Sequence, residues 1–434
     1  MKNQPVSALN PRRILCLFDY MCNTGFGMVS KNIVRELKKH FGKNIDLDIF
    51  AINYFGETFD EDDNVHVCSA QGNDPAGEKF GQVGFMRQLT TKDYDGVFII
   101  QDLNAVTASL KGGSTVDYVW VVRDKKKNSG GKKFKSMFYF PVDCPLLDIQ
   151  VKGLEFFDKI VTYTEFGKKE VLKTRPELKD KLGIVVHGNN NKEYYPLPEQ
   201  EIIDFRRAFF GEVEPYSRFI VSNVNRNQPR KDIPNTIFGF IEAKENWPAD
   251  LPKPLLYLHM NPDDSEGHNL RLMMDQTSLI EREDYLFCPN SIKKEGATDE
   301  LMNQVYNASD VYLTTTTGEG WGLGITNAMS TKTPVIATNY SSIPEMTDYG
   351  KRAWLLESLY PHCSVVGSMI RVQTDLYEVA DKIIEVATAA RDNTQEYQNK
   401  IDAAYKYVLS LDWQIICKQW AKYFHEVFDI PYRN

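Results

Sequence analysis

The stretch that most constrains this chain spans residues 314–345, where four threonines lead into a glycine-rich turn that carries one acid, Glu319. The β-branched threonines predict a strand ending at Thr317, and a helix is expected to begin near Leu323. A second buried strand is expected at 334–338. Glycine lets the backbone approach a ligand closely, and the amino end of a helix offers unpaired N–H groups and partial positive charge. This combination is typical of a phosphate-binding site.

The acid in this turn needs a separate explanation, because a phosphate repels a carboxylate. Sugar hydroxyls would supply one, since they donate hydrogen bonds to a carboxylate such as that of Glu319. The alternative is a plain βαβ crossover whose glycines only permit tight packing. The turn alone does not decide between these interpretations, and the other motifs of the chain favour a ligand site.

Length and composition limit the class of protein. A chain of 434 residues is too long for one ordinary core, so two domains are expected. Its 42% hydrophobic and 25% charged residues are typical of a soluble globular enzyme. No apolar run approaches the ~20 residues of a membrane span, and residues 1–13 lack the apolar core of a secretory signal.

Charge and cysteine usage exclude further classes. The net charge of −8 argues against a general nucleic-acid coat. The seven cysteines are scattered and never form a CxxC pair, which favours free thiols over disulfides or a zinc site. We therefore expect a cytoplasmic protein without a transmembrane segment, with peripheral contact to a membrane as an alternative.

Apolar runs alternate with helical or irregular stretches along the chain, which predicts an α/β fold with a doubly wound parallel sheet in each half. Strands are predicted at 13–19, 47–52, 96–101, 137–141, 159–163 and 183–187, and in a second series at 219–223, 255–260, 285–288 and 310–316. Prolines at 194–198 mark the break between the two series. We expect an N-terminal domain over 1–197, a C-terminal domain over 198–411, and a helix in 412–434 that packs back on the first domain.

Two further loops follow predicted strands and precede predicted helices. The first contains Gly25 and Gly27, although the full dinucleotide pattern GxGxxG is absent. The second contains Asn225, Arg226 and Lys231. An arginine offers a planar fork to phosphate oxygens and a lysine offers a point charge. Cations placed beside a leaving diphosphate would stabilise the transition state more than the ground state.

Taken in order, these motifs resemble the retaining nucleotide-sugar glycosyltransferases of family four, which have the GT-B fold. The stretch 314–345 resembles the E-x7-E signature followed by a TPVIAT-type strand and an IPE sequence. Arg226 and Lys231 match the family's clamp on the donor diphosphate, and Gly25 and Gly27 match its glycine-rich loop. Segments 158–167 and 186–196 are similar to two further family segments. The resemblance covers nearly the whole chain and implies two Rossmann-like domains that face each other across a cleft.

The resemblance also implies roles for individual residues. Glu319 would hold hydroxyls of the transferred sugar, and the segment Trp321, Gly322 and Leu323 would bind its phosphate through backbone N–H groups. The nucleotide base of the donor would lie against the strand end that contains Pro289, Asn290 and Ile292. The second acid of E-x7-E falls on Asn327, a departure that leaves the nucleotide preference open.

In the first domain, Asp143 follows a predicted strand and is the candidate for contact with hydroxyls of the acceptor or the donor. Gln101 and Asp102 are a weaker candidate, for which a helix N-cap is an equal alternative. In this family the departing phosphate oxygen is thought to take the acceptor proton. The scheme requires no divalent metal and no other cofactor, because cationic side chains and a helix amino end stabilise the charge.

Two charged segments complete the predictions. The acidic run at 57–64 is expected to form a solvated loop, because it lacks the pattern of a calcium loop. Residues 123–135 contain seven basic residues and one acid, and a disordered solvated loop is expected there. The alternative is contact with a polyanionic acceptor, such as a phosphorylated lipid or DNA. The lysines involved would be Lys125, Lys126, Lys127, Lys132, Lys133 and Lys135.

We therefore expect a retaining hexosyl- or pentosyltransferase that uses a UDP- or GDP-sugar and an acceptor hydroxyl on a glycan, a lipid or a modified nucleic-acid base. The catalytic candidates are Glu319, Arg226, Lys231 and Asp143. One alternative is a nucleotide-sugar 2-epimerase-like isomerase, which would need no acceptor. Another is a non-catalytic nucleotide-sugar-binding protein, which the change at Asn327 suggests and which the intact Arg226, Lys231 and Glu319 oppose.

Overall fold

The computed structural model describes residues 10–70, 80–107, 117–129, 133–289, 296–364 and 369–433. By its contacts the chain divides into two compact units. The first unit comprises Met1–Val142, Leu146–Gly188 and Trp413–Asn434. The second comprises Asp143–Pro145 and Asn189–Asp412.

The first unit contains an eight-stranded sheet with the strand order β3-β4-β2-β1-β5-β6-β7-β8. Its strands are β1 (Arg12–Asp19), β2 (Ile45–Ile52), β3 (Phe59–Asp62), β4 (Val65–Ser69), β5 (Gly96–Ile100), β6 (Lys135–Phe140), β7 (Lys159–Thr162) and β8 (Leu182–Ile184). All neighbours are parallel except β3 and β4. The helices are α1 (Gly25–Phe41), α2 (Gln82–Thr91), α3 (Leu103–Val106), α4 (Tyr118–Asn128), α5 (Asp148–Val151) and α6 (Glu165–Thr174).

The central strands of this sheet are apolar almost throughout, because helices cover both of their faces. Every residue of β5 is buried, as are the last six of β1. Such near-continuous apolar runs are what a parallel sheet produces in sequence. The predicted strands at 13–19, 47–52, 96–101, 137–141 and 159–163 are confirmed within a few residues at each end.

The last helix of the chain, α15 (Trp413–Phe428), packs on the first unit. The Trp420 ring is fully buried and lies 5.5 Å from the Phe98 ring on β5. A Cβ added at Gly96 would lie 2.5 Å from Phe428, so the glycine at the start of β5 leaves room for this helix. The apolar face of the helix is therefore part of the core of the first unit.

The polar edge of the first sheet differs from the prediction. The run at 57–64 was expected to be a solvated loop, and that expectation is wrong, because Phe59–Asp62 forms β3 and pairs with β4 in an antiparallel hairpin. Charge pairs connect this strand to neighbouring segments. Asp62 forms an ion pair with Lys38, and Asp60 contacts the His66 ring nitrogen Nδ1 at 2.6 Å. The other ring nitrogen of His66 lies 3.2 Å from Asp46 on β2.

The stability of this sheet edge should depend on pH through the ionisation of His66. The hydrogen bond to Asp60 and the charge of Asp46 raise the pKa of His66 above 6.5, against the lowering effect of partial burial. A raised folded-state pKa gives stability that is fully present below ~6.5 and is lost as pH rises through the folded-state pKa. We therefore expect His66→Gln to destabilise the protein more at pH 5.5 than at pH 8.5, measured by urea unfolding. Equal losses at the two pH values would contradict the assignment.

The basic segment that begins at residue 123 is also more ordered than predicted. Helix α4 extends through Asn128 and includes Arg123 and Lys127, so the expectation of a disordered loop is wrong for this part. Residues 130–132 lie outside the described part of the chain.

The second unit is built on a six-stranded, fully parallel sheet with the order β11-β10-β9-β12-β13-β14. Its strands are β9 (Arg218–Val224), β10 (Lys253–His259), β11 (Tyr285–Phe287), β12 (Val311–Thr314), β13 (Val335–Thr338) and β14 (Trp354–Leu356). Its helices are α7 (Glu199–Phe210), α8 (Ile233–Glu245), α9 (Leu270–Met274), α10 (Asp299–Asn307), α11 (Leu323–Ser330), α12 (Ile343–Met346), α13 (Leu376–Arg391) and α14 (Gln395–Ser410). The predicted doubly wound parallel sheets are thus present in both units.

A hairpin that the sequence did not indicate follows this sheet. Strands β15 (Leu359–Cys363) and β16 (Ile370–Thr374) pair antiparallel, with His362 opposite Arg371. The hairpin is mostly polar or exposed, so it lacks the apolar pattern by which the other strands were found. Among the described residues, no helix is long and apolar enough to span a bilayer.

Candidate active site

Two loops meet at the carboxyl ends of β9 and β12. The strands are parallel neighbours in the second sheet, with Val311 beside Val221, so the segments that follow them emerge at the same edge. After β9 the chain forms a 3-10 turn at Pro229–Lys231, and after β12 it forms the glycine-rich turn with Glu319. The sequence therefore places cations and one carboxylate at a common sheet edge.

Arg230 fastens one loop to the other. Its backbone carbonyl accepts hydrogen bonds from the Thr317 N–H at 2.8 Å and from the Thr317 hydroxyl at 3.0 Å. Its guanidinium Nη1 donates to the Gly318 carbonyl at 2.6 Å. The run of threonines thus ends in hydrogen bonds to Arg230, and regular strand pairing stops at Thr314 rather than Thr317.

Glu319 forms a buried cluster of charges with two cations. Its carboxylate lies 2.5 Å from Lys231 Nζ and 3.1 Å from Arg230 Nη1. The Glu319 backbone is held as well, because its N–H donates to Ser341 Oγ at 2.8 Å and its carbonyl accepts from Ser342 Oγ at 2.7 Å. The side chain of Glu319 is 10% exposed, so its cationic partners largely replace water.

These contacts fix the ionisation of the cluster. Burial alone would raise the pKa of Glu319, but the charges of Lys231 and Arg230 outweigh burial and lower it to about 2. Burial lowers the pKa of Lys231 below 10.5, and Glu319 opposes that shift. An ionised carboxylate that can accept hydroxyl hydrogen bonds therefore lies between two groups that attract phosphate oxygens.

The amino end of α11 lies directly after this carboxylate. Helix α11 begins at Leu323 as predicted, and its N-cap residue is Gly322 with φ +111 and no capping side chain. Because no side chain caps the helix, its first N–H groups are available to an anion. Trp321 is 4% exposed, and its carbonyl accepts from Ser342 Oγ at 3.1 Å.

Two amide side chains lie near this helix and the end of β9. Asn327 is half-buried on α11, and its side chain lies near the Tyr306 hydroxyl. Asn225 donates to Asn223 Oδ1 at 2.8 Å and reaches the Thr314 hydroxyl at 3.4 Å. Asn225 therefore braces the ends of β9 and β12 against each other.

Of the two arginines of the cationic loop, one lies away from Glu319 and the other lies beside it. Arg226 is exposed and forms ion pairs with Asp264 at 2.7 Å and Glu266 at 3.1 Å, outside the Glu319 cluster. Arg230, which was not among the residues predicted for the site, lies beside Glu319. The sequence signal for Arg230 was its position next to Lys231. Both side chains contact the carboxylate of Glu319.

Asp143 joins the same cluster from a short segment, Asp143–Pro145, that belongs to the second unit by its contacts. Its carboxylate lies 2.9 Å from Arg371 Nη2 and 3.5 Å from Arg230 Nε. The structure therefore brings Asp143, Lys231 and Glu319 together through Arg230. Arg371 was missed because the hairpin that carries it was not predicted.

The first unit carries the glycine-rich loop and Asp102, the other candidates from the sequence. Gly25 is exposed at the start of α1, and Gly27 is buried in its first turn. A Cβ on Gly27 would lie 2.5 Å from the Cys22 carbonyl oxygen, so packing within the loop accounts for this glycine. Asp102 occupies the N-cap position of α3 without a capping hydrogen bond from its side chain, and its N–H donates to Gln101 Oε1 at 2.9 Å.

The proposed base-binding strand end is only partly described. Pro289 is exposed after β11, while Asn290 and Ile292 lie outside the described residues. Nothing further is assigned to this segment.

The basic segment is partly committed to internal contacts. Lys126 and Lys135 both pair with Asp158, at 2.6 Å and 3.6 Å. Lys125 donates to the Leu89 carbonyl at 2.7 Å. Lys127 and Lys133 are exposed, and Lys132 lies outside the described residues.

A group of possible metal ligands occurs among the described residues of the first unit. Atoms of Asp46, Asp48 and His66 lie within 4.8 Å of one another. Asp48 already pairs with Arg13 at 3.1 Å and with Lys92 at 3.2 Å. Cations of the protein therefore compensate these carboxylates, and we assign no metal to them.

Gly318 should be intolerant of a side chain. Its φ is +150, and an added Cβ would lie 2.1 Å from the Asp143 carbonyl oxygen. Gly211 is a matched control, since its φ is +67 and an added Cβ would meet nothing within 4 Å. We expect Gly211→Ala to cost about 1 kcal/mol of unfolding free energy and Gly318→Ala about 3 kcal/mol, measured by chemical denaturation. Equal costs for the two variants would contradict the close approach of Asp143.

Comparison with known proteins is consistent with this arrangement. Residues 276–375 match the family model described as Glycosyl transferases group 1. The probable sucrose-phosphate synthase of Thermosipho melanesiensis is 23% identical over 305 residues, which is 69% of this chain and 60% of that protein. The chain therefore spans less than two thirds of the length of this curated relative.

Solved structures of low sequence identity share the fold. Anabaena Alr3699/HepE, in complex with UDP and glucose, superposes with a TM-score of 0.65 at 15% identity, over 96% of this chain and 100% of that chain. The sucrose-phosphate synthase of Thermosynechococcus elongatus gives 0.67 at 14% identity, over 97% and 100%. The α,α-trehalose 6-phosphate synthase of Burkholderia multivorans gives 0.66 at 12% identity, over 96% and 98%. The GT-B fold predicted from the sequence is thereby confirmed, and residues 276–375 of the chain match group 1 of the glycosyl transferases.

Proposed function

We propose that this chain is a glycosyltransferase that moves a sugar from a nucleoside diphosphate to an acceptor hydroxyl, with retention at the anomeric carbon. The observation that carries the proposal is the contact of Glu319 with Lys231 and Arg230, directly before the uncapped amino end of α11. This arrangement offers partners to sugar hydroxyls and to a diphosphate at once. The match to group 1 glycosyl transferases over 276–375, which includes Glu319, supports it.

In this scheme, groups of the bound donor replace some of the contacts that the charged side chains make with one another. The diphosphate oxygens take Lys231 Nζ and the first N–H groups of α11, and hydroxyls of the sugar donate to Glu319. Arg226 turns from Asp264 toward the diphosphate, which its exposed position permits. The amide of Asn327 takes the place of the second acid of E-x7-E, the signature of the retaining family-four enzymes that the chain resembles.

The chemical step needs no covalent intermediate with the protein. The bond between the anomeric carbon and the diphosphate oxygen breaks, and its electron pair stays with the diphosphate. A new bond forms from the acceptor oxygen to the anomeric carbon, and the acceptor proton passes to the departing phosphate oxygen on the same face. Lys231 and the helix amino end stabilise the charge that develops on the diphosphate, so the scheme requires no divalent metal.

The donor is a UDP-sugar in the first instance, since the structural relatives include Alr3699/HepE in complex with UDP-glucose. The acceptor hydroxyl belongs to a glycan, a lipid or a modified nucleic-acid base, and the reaction takes place in the cytoplasm. Exposed Lys127 and Lys133 would make any contact with a polyanionic acceptor.

The test is a panel of UDP- and GDP-sugars, added one at a time to the purified protein. A true donor should raise the melting temperature, because a ligand at 100 times its Kd stabilises the folded state by about 2.7 kcal/mol. Release of nucleoside diphosphate should follow, faster with a suitable acceptor, and NMR of the product should show the anomeric configuration of the donor.

The same assay separates the alternatives. An epimerised nucleotide sugar without acceptor would favour an isomerase, and binding without any turnover would favour a non-catalytic binding protein. If no nucleotide sugar of the panel either stabilises the protein or is consumed, the proposed function is wrong.

A further inference from the structure

The hairpin β15–β16 is fastened to the segment that carries the catalytic cations. Asn235, in the first turn of α8, donates to the Thr374 carbonyl at 2.7 Å and to its hydroxyl at 2.6 Å. Asn235 and Thr374 are both buried, so β16 is fixed relative to the start of α8, which follows the loop after β9, without any contribution from its own arginine.

Arg371 projects from this anchored strand into the cluster of charges. The residue is 9% exposed, and its guanidinium holds Asp143 twice, through the carboxylate at 2.9 Å and the carbonyl at 3.4 Å. An added Cβ on Gly318 would lie 2.9 Å from Arg371 Nη1, so the arginine fits against the bare backbone of the glycine-rich turn. Its position is therefore restricted on three sides.

Positive and negative groups alternate along the cluster, which we call the charge row. Its five members are Arg371, Asp143, Arg230, Glu319 and Lys231. Arg230 stands in the middle and faces a carboxylate on each side, Asp143 at 3.5 Å and Glu319 at 3.1 Å. The orientation of Arg230 thus depends on how firmly each carboxylate is held by its other partner.

Arg371 determines the balance on the Asp143 side. Asp143 is closer to Arg371 than to Arg230, at 2.9 Å against 3.5 Å. Without Arg371, Asp143 would have one guanidinium partner in the row and would draw Arg230 toward itself, since opposite charges that are partly shielded from water attract each other. Arg230 would then leave Glu319 with Lys231 alone.

We propose that Arg371 is a positioning residue that holds Asp143 and thereby keeps Arg230 directed at Glu319. The proposal rests on the proposed function, because its consequence is measured in sugar transfer. Glu319 must meet the sugar hydroxyls in one geometry for the anomeric carbon to face its acceptor. A displacement of about 1 Å in such a site can lower a rate ~100-fold.

The test compares Arg371→Met and Arg371→Lys in the full chain with a UDP-sugar that the wild type turns over. Arg371→Met should lower kcat ~10- to 100-fold and change the donor KM less than about threefold, since Lys231 and the helix amino end still bind the diphosphate. Arg371→Lys should recover part of kcat, because it restores the charge but not the two-pronged contact. Arg391→Met is the control, since Arg391 pairs with Asp250 at the surface of the same unit and should leave kcat unchanged.

A crystal structure of Arg371→Met shows whether a fall in activity results from a displaced Arg230. Arg230 should have turned to Asp143, with its distance to Glu319 beyond the ~4 Å of an ion pair. An unmoved Arg230, or a kcat equal to that of the wild type, would overturn the positioning role while leaving the proposed function intact. A wild-type protein that turns over no nucleotide sugar would instead overturn the proposed function, and the crystal structure of the variant would still report on Arg230.

Discussion

Replacing Lys231 by methionine is expected to abolish sugar transfer. The amine lies 2.5 Å from Glu319, on a side chain that is 14% exposed, at the edge where the diphosphate would bind. Methionine keeps most of the side-chain volume and removes the charge. Loss of one preorganised group of this kind lowers kcat about 100- to 1,000-fold. Release of nucleoside diphosphate from a UDP-sugar measures the effect, and binding of UDP alone should weaken in parallel.

Folding must be followed alongside activity, because the variant breaks a buried ion pair. Removing one partner of such a pair costs about 3–5 kcal/mol when the other is left alone. Arg230 still faces Glu319 in this variant, so we expect a smaller loss and a folded protein. Lys244→Met is the control, since Lys244 pairs with Asp284 at 2.7 Å and lies outside the charge row. Near-normal turnover by Lys231→Met would contradict the assignment of Lys231 to the active site.

Replacing Glu319 by glutamine is expected to separate sugar recognition from diphosphate binding. The carboxylate is ionised throughout the working pH range, because Lys231 and Arg230 hold its pKa at about 2. Glutamine keeps the shape but loses the charge that accepts sugar hydroxyls. Transfer from a UDP-sugar should fall ~100-fold or more, as for other preorganised polar groups. UDP, which carries no sugar, should bind at least as tightly as to the wild type, because a negative charge beside its phosphates has been removed.

The control for this variant is its companion at Lys231. Calorimetry of UDP with both variants should show weakened binding for Lys231→Met and undiminished binding for Glu319→Gln. If UDP binding also collapses in Glu319→Gln while the protein stays folded, Glu319 supports the diphosphate site rather than the sugar, and its assigned role is wrong.

The fold was predictable wherever burial left an apolar pattern. Strand β5 is buried throughout and β1 over its last six residues, so their sequences have the apolar pattern of parallel strands. The polar edge strand β3 and the hairpin β15–β16 have no such pattern, because one or both faces meet solvent or charged groups. In the first hairpin the cross-strand neighbours Asp60 and His66 form a charge pair, a contact that hydrophobic patterning does not indicate.

The candidate site was predictable in outline and not in its contacts. Parallel strands with loops at their carboxyl ends were enough to bring Lys231 near Glu319. The choice between Arg226 and Arg230 depends on the 3-10 turn at Pro229–Lys231 and on Asp232, whose φ of +47 turns the chain after it. The contact of Arg371 with Asp143 joins residues 228 positions apart, which no local pattern could indicate.

The most direct test of the central claim is a crystal structure of the chain with a bound UDP-sugar. The account predicts that the diphosphate lies within hydrogen-bond distance of Lys231 Nζ and of the first N–H groups of α11, with a sugar hydroxyl on Glu319. A diphosphate bound elsewhere, with Glu319 still closed on Lys231 and Arg230, would contradict it.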